Sequence, residues 1–206
     1  MMKKWITALA LGAGAVLFTV AATAQPAAPT QVRGAVVSLE GNALTVKQAS
    51  GPTVIMMDGA WTVSVLKNID ASAIKPGSFI GTTNVDMPGG AGRSTEVHVF
   101  PPGVRAGEGH YPWQGGAGSM MTNGDVTMVV TGAKGQELDI KYNGNGGSGV
   151  RHVVIPPGTP IVTFTPGDRA VLKPGAQVLI FAFKGADGML HAGSVTTGEN
   201  GAKPPM

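Results

Sequence analysis

The side chains best able to bind a metal or carry a proton are four histidines, His98, His110, His152 and His191, and the chain has no cysteine. Metal sites place their ligands at spacings that bring them onto one face, two residues apart on a strand or four apart on a helix. No two of these histidines stand so. His98 and His191 fall in stretches of strand character and His152 opens another, where a lone histidine is expected on the solvated surface. A soft-metal site would combine histidine with methionine. Met56 and Met57 lie near Trp61, but consecutive strand residues point to opposite faces, so one of the two is expected in a core. The remaining place for a soft metal is His110 with Met120 and Met121. Gly144-Asn145-Gly146-Gly147-Ser148-Gly149 spells a dinucleotide fingerprint, yet a strand ending in prolines follows instead of the helix that the phosphates require. These glycines read as a hairpin loop. No Gly-x-Ser-x-Gly elbow is present. Asp70 and Asp168 stand at matching places, which suits helix capping better than catalysis. The expectation is a non-enzymatic protein with no catalytic residues and no cofactor.

One segment breaks the strand rhythm. Phe100 to Gln114 concentrates Arg105, Glu108, His110, Tyr111 and Trp113 in a chain with 3 Trp and 2 Tyr. Tyr, Trp and Arg are the usual anchors of binding surfaces. Two readings follow: the segment is an exposed recognition surface, or Tyr111 and Trp113 fold back and cement the flanking units together.

The elements that must position these residues repeat. Val32-Arg33-Gly34-Ala35-Val36-Val37 parallels Asn123-Gly124-Asp125-Val126-Thr127-Met128. Asn42-Ala43-Leu44-Thr45-Val46-Lys47 parallels Gln136-Glu137-Leu138-Asp139-Ile140-Lys141. Ala73-Ile74-Lys75-Pro76-Gly77-Ser78-Phe79-Ile80 parallels Val171-Leu172-Lys173-Pro174-Gly175-Ala176-Gln177-Val178. Three blocks in one order argue for duplication. Each unit reads as three strands, a short helical turn capped by Asp70 or Asp168, a Lys-Pro-Gly stop, and two further strands. That order predicts an all-β chain of two tandem OB-like five-stranded small barrels, each with one short helical turn before the fourth strand. A single ten-stranded sandwich is the alternative. The expected organisation is a signal peptide over 1–24, an N-terminal linker over 25–31, a first β-barrel unit over 32–103, an inter-unit linker over 104–122, a second unit over 123–198 and a C-terminal tail over 199–206.

The Gly-x-Val start, the Asn-x-Leu-Thr-Val strand and the Ile-Lys-Pro-Gly-Ser-Phe-Ile block resemble a bacterial family of exported small β-barrel domains of unknown function. The resemblance implies a periplasmic setting and an OB-like fold, with no established activity. The strand order is distantly similar to periplasmic copper and silver chaperones, which makes metal handling the alternative function.

Residues 1–24 carry the three parts of a secretory signal: Lys3-Lys4, an apolar run from Ile6 to about Ala22, and an Ala22-Thr23-Ala24 exit. That run is interrupted by Gly12 and Gly14, and no other apolar stretch approaches the ~20 residues of a membrane span. Lys3 and Lys4 supply two of the three net positive charges, so the exported chain is nearly neutral and no nucleic-acid partner is expected. The expected protein is periplasmic, has no membrane span after cleavage, and binds an unidentified periplasmic protein or small ligand.

Overall fold

The computed structural model describes residues 29–114, 116–200 and 202–204, so the expected signal over 1–24 lies outside the described residues. The fold is all-β, as the strand periodicity predicted. One twelve-stranded sheet contains β1 (Thr30–Glu40), β2 (Ala43–Gln48), β3 (Gly51–Asn68), β4 (Phe79–Asp86), β5 (Gly92–Val99), β6 (Gly109–Pro112), β7 (Ser119–Gly132), β8 (Gly135–Gly144), β9 (Gly147–Ile155), β10 (Ile161–Gly167), β11 (Gln177–Lys184) and β12 (Leu190–Gly198). Single 3-10 turns occupy Ala71–Ala73 and Arg169–Val171, before β4 and β11. Their caps are as expected: Asp70 accepts from the Ser72 backbone N–H at 2.8 Å, and Asp168 from that of Ala170 at 2.7 Å. Among the described residues no helix is long and apolar enough to cross a membrane.

β1, β2, β3, β12 and β11 close a ring, antiparallel throughout except for the parallel β3–β12 pair. β7, β8, β9, β5 and β4 meet in the same circular order, with the parallel pair at β9–β5, over Gly92↔Val153 and Arg93↔Val154. The pairing differs from two barrels in succession. The first three strands of each half close with the last two strands of the other half. The cause lies in β3, which runs past a bend at Gly59 to Asn68 and pairs its second half antiparallel with β10. The chain has therefore crossed to the neighbouring ring before its first 3-10 turn. Each Lys-Pro-Gly block then docks on the opposite half: Gly77 and Val126 exchange backbone bonds through Val126 C=O and Ser78 C=O, as Gly175 and Val36 do through Val36 C=O and Ala176 C=O, all at 2.8–2.9 Å. The stretch expected as a linker over 104–122 also holds structure, namely β6 and the start of β7, which pairs with β4 from Ser119.

The cores follow the rings. Val32, Leu44, Val46 and Ile55 are fully buried in the first, and Ile80, Val97, Leu138, Ile140 and Val153 in the second. Each 3-10 turn ends on an apolar residue that enters the ring its half joins: Leu172 packs with the first cluster, Ile74 with the second. Met57, at 2% exposure, is the core member of the methionine pair, and Met56 is only half-buried.

Gly34 and Gly124 mark equivalent close approaches. A Cβ would lie 2.1 Å from the Lys47 carbonyl oxygen at the first and 2.3 Å from that of Lys141 at the second. A bulge follows each, at Val36/Ser38 and Val126/Met128. Gly34 thus matches Gly124, one residue away from the alignment that sequence similarity suggests. Because the obstruction is backbone, Gly34→Ala should destabilise the protein by about 3 kcal/mol, in the range of overpacked sites. Urea unfolding midpoints for the two proteins measure this.

Candidate binding cavity

The rings present equivalent outer faces to each other. On β11 and β1 these carry Leu179 and Phe181, in register with Arg33 and Gln31. On β4 and β7 they carry Gly81 and Thr83, in register with Asn123 and Met121. Counted from the Lys-Pro-Gly blocks, Gly81 matches Leu179 and Thr83 matches Phe181. The smaller residues on one face leave space, and a cavity of about 340 Å³ lies there. Leu179 and Phe181 come from the first ring, and His98, Met121 and Asn123 from the second. Phe164 of β10 and Phe100, Ala106, Gly107, Tyr111 and Trp113 of the β5–β7 connection complete the wall. The chain has 6 Phe, 3 Trp and 2 Tyr, and five of these side chains line this one cavity. Ala106, Gly107 and Phe181 are exposed and mark its open side.

His98 is 4% exposed, in contrast to the expected surface position. Its ring sits edge-on to Phe164 at 5.8 Å, and Nε2 lies 3.4 Å from a Glu96 carboxylate oxygen. Burial outweighs that carboxylate and lowers the His98 pKa to about 4, so the imidazole is neutral near pH 7. Asn123 donates through Nδ2 to the carbonyls of Gly107 and Ala106 and to Tyr111 Oη, at 2.8, 3.3 and 3.2 Å. Two carbonyl acceptors fix the orientation of the amide. Its Oδ1 is buried without a hydrogen-bond partner, as is Trp113 Nε1. Thr83 Oγ1, Ser119 Oγ, and Arg33 Nε and Nη1 share that condition. Buried polar atoms are normally satisfied. Their concentration on the facing surfaces of the rings sets this region apart.

The segment singled out in the sequence divides. Arg105 holds Asp125 through two bonds of 2.7 and 2.9 Å, contacts Glu108 at 3.1 Å, and lies over the Phe79 ring at 4.2 Å. Glu108 also accepts from the Asn143 backbone N–H. These two residues tether the segment to β7 and β8. Tyr111 and Trp113 are half-buried against each other at 6.3 Å and face the cavity. His110 turns away: Nδ1 pairs with Thr122 Oγ1 at 2.9 Å, and the ring rests against Tyr142 at 5.7 Å. Burial, followed by the nearby Arg151, lowers its pKa.

The suggested soft-metal trio is not assembled. Tyr111 lies opposite Met121, whereas His110 lies opposite Thr122 and Pro112 opposite Met120. Strand alternation therefore puts Met121 on the cavity face and His110 on the other. Among the described residues no three His, Cys, Asp or Glu side chains form a metal-binding group. His152 pairs with Asp139, and His191 is held between Asp58 and Asp187, which raise its pKa.

Sequence reasoning missed His98, Asn123, Phe164, Leu179 and Phe181. The alternation Glu96, His98, Phe100 was an available signal, since it puts three large side chains on one strand face. The chain matches no family model, and comparison with curated proteins and with solved structures gave no match.

Proposed function

We propose that this chain is an exported, non-enzymatic binding protein that holds a small ligand in the cavity between its rings. The observation that carries this reading is the cavity itself: aromatic side chains wall it, and His98, Trp113 and Asn123 set buried polar atoms around it. Its volume falls in the lower part of the ~300–1,000 Å³ range of small-molecule sites, which are mostly apolar with a few polar groups. The only hydroxyl in its lining is the Tyr111 phenol, which favours binding over nucleophilic chemistry. The signal-like residues 1–24 and the resemblance to exported small β-barrel domains support a periplasmic setting. We read both rings as OB-like in strand order. The paired glycines, bulges, caps and Lys-Pro-Gly blocks support a duplicated unit whose copies exchanged strands, as domain-swapped dimers do.

Trp113 lines the site and is its natural reporter. Titrating the exported chain with a panel of small aromatic and aliphatic molecules should yield compounds that change Trp emission. Ala106→Phe, a substitution at the exposed side of the cavity, should weaken those compounds at least tenfold. Binding unaltered by Ala106→Phe places the ligand site elsewhere.

A further inference from the structure

We infer that the cavity between the rings selects an uncharged, flat aromatic ligand carrying one hydrogen-bonding group that His98 and Asn123 read. This rests on the binding reading above and names its ligand class. Flatness follows from the walls. Phe100 and Phe164 lie 5.3 Å apart at 33°, and Trp113 stands edge-on to Tyr111, so the boundaries are ring faces and ring edges. Aromatic ligands satisfy such walls through stacked and edge-on contacts that an aliphatic chain lacks.

The absence of charge follows from the lining. None of the residues around the cavity is ionised near neutral pH, because burial keeps His98 neutral. Two ions flank lining residues: Arg33, whose guanidinium is 5.7 Å from the Trp113 ring, and Glu96, beside His98. Burial lowers the Arg33 pKa, and the attraction of Glu96 opposes that shift, so the two charges act on each other. An ionised ligand would lose its water and would have to compete with Glu96 or Arg33 for a counter-ion. The hydrogen-bonding group follows from Asn123. Its Nδ2 is committed to the Gly107 and Ala106 carbonyls, which leaves Oδ1 as a buried acceptor with no protein donor. Only glycine fits beside that atom, because a Cβ at Gly81 would stand 2.3 Å from it and 3.3 Å from His98 Nδ1.

Equilibrium dialysis of the exported chain against 2-naphthol, naphthalene and 2-naphthoate at pH 7.5 tests the inference. 2-Naphthol should bind at least tenfold more tightly than either of the others. His98→Phe should reduce the preference for 2-naphthol over naphthalene, and His98→Gln should restore part of it. Folding of both variants is checked by circular dichroism. Equal or tighter binding of 2-naphthoate overturns the uncharged ligand, and equal binding of naphthalene overturns the hydrogen-bonding group. In both cases the cavity reading stands if Ala106→Phe still blocks the probe. If none of the three binds, while other compounds bind and are blocked by Ala106→Phe, the ligand class is overturned alone. If Ala106→Phe blocks no compound of any class, the cavity reading falls as well.

Discussion

Replacing Val32 and Ile180 by alanine together should change stability by an amount that departs from the sum of the single effects by about 0.5–3 kcal/mol. The two residues are register partners across β1 and β11, and both are buried in the first ring, at 0% and 1% exposure. Ile180→Ala alone should cost about 2–5 kcal/mol, as buried isoleucine truncations do. Val32 paired with Ile140, and Ile180 paired with Ile140, should each be additive within about 0.5 kcal/mol, because Ile140 belongs to the other cluster. Barrels in succession would reverse the pattern. Ile180 and Ile140 would then share a core, and Val32 and Ile180 would be strangers. Urea unfolding of the parent, the three single and the three double variants reads the difference directly. Additivity between Val32 and Ile180 would contradict the exchanged rings.

The exchange also explains which features were legible in the sequence. Strand periodicity, Asp70 and Asp168 as caps, the Lys-Pro-Gly stops and the hairpin at Gly144–Gly147 are local, and each appears where its residues predict. Choice of partner is not local. Ile80 and Val178 occupy equivalent positions, so either could complete either ring, and nothing in the blocks says which. The decision rests on β3 continuing to Asn68 to pair with β10, a contact about a hundred residues away in the chain. The cavity was hidden for the same reason. Alternation puts His98 of β5 and Phe100 just after it on one side, but it does not tell that a second ring covers that side. Gly81 against Leu179 and Thr83 against Phe181 looks like drift between copies until the two faces are seen opposed. Tyr111 and Trp113 were found because a run of aromatic residues between repeats is visible in one dimension. Arg105 and Glu108 were found with them, although their contacts tether the segment rather than line the cavity.

Acidification from pH 6.5 to pH 4 should lower the stability of the protein by about 3 kcal/mol through His98 alone. Its pKa is about 4 when folded, against 6.5 for an ordinary histidine. Between those values the unfolded chain takes up a proton that the folded protein refuses. Each pH unit of acidification then favours unfolding by about 1.4 kcal/mol, and the effect levels off below pH 4. Glu96 lies close enough to attract an imidazolium, yet burial among Phe164, Phe100 and the ring faces prevails. His110, also lowered, adds a contribution of the same sign. His191 acts oppositely, because Asp58 and Asp187 raise its pKa: its contribution is complete below the unfolded pKa and is lost as pH rises through the folded one. A comparison with His98→Phe isolates the single residue, since the other three histidines remain. Phenylalanine keeps an aromatic edge against Phe164 and cannot be protonated. Relative to the wild type, the variant should therefore gain about 3 kcal/mol between pH 7 and pH 4 in urea unfolding free energies. Parallel pH profiles for the two proteins would mean that water reaches His98 freely, and a cavity that wet could not discriminate against a charged ligand.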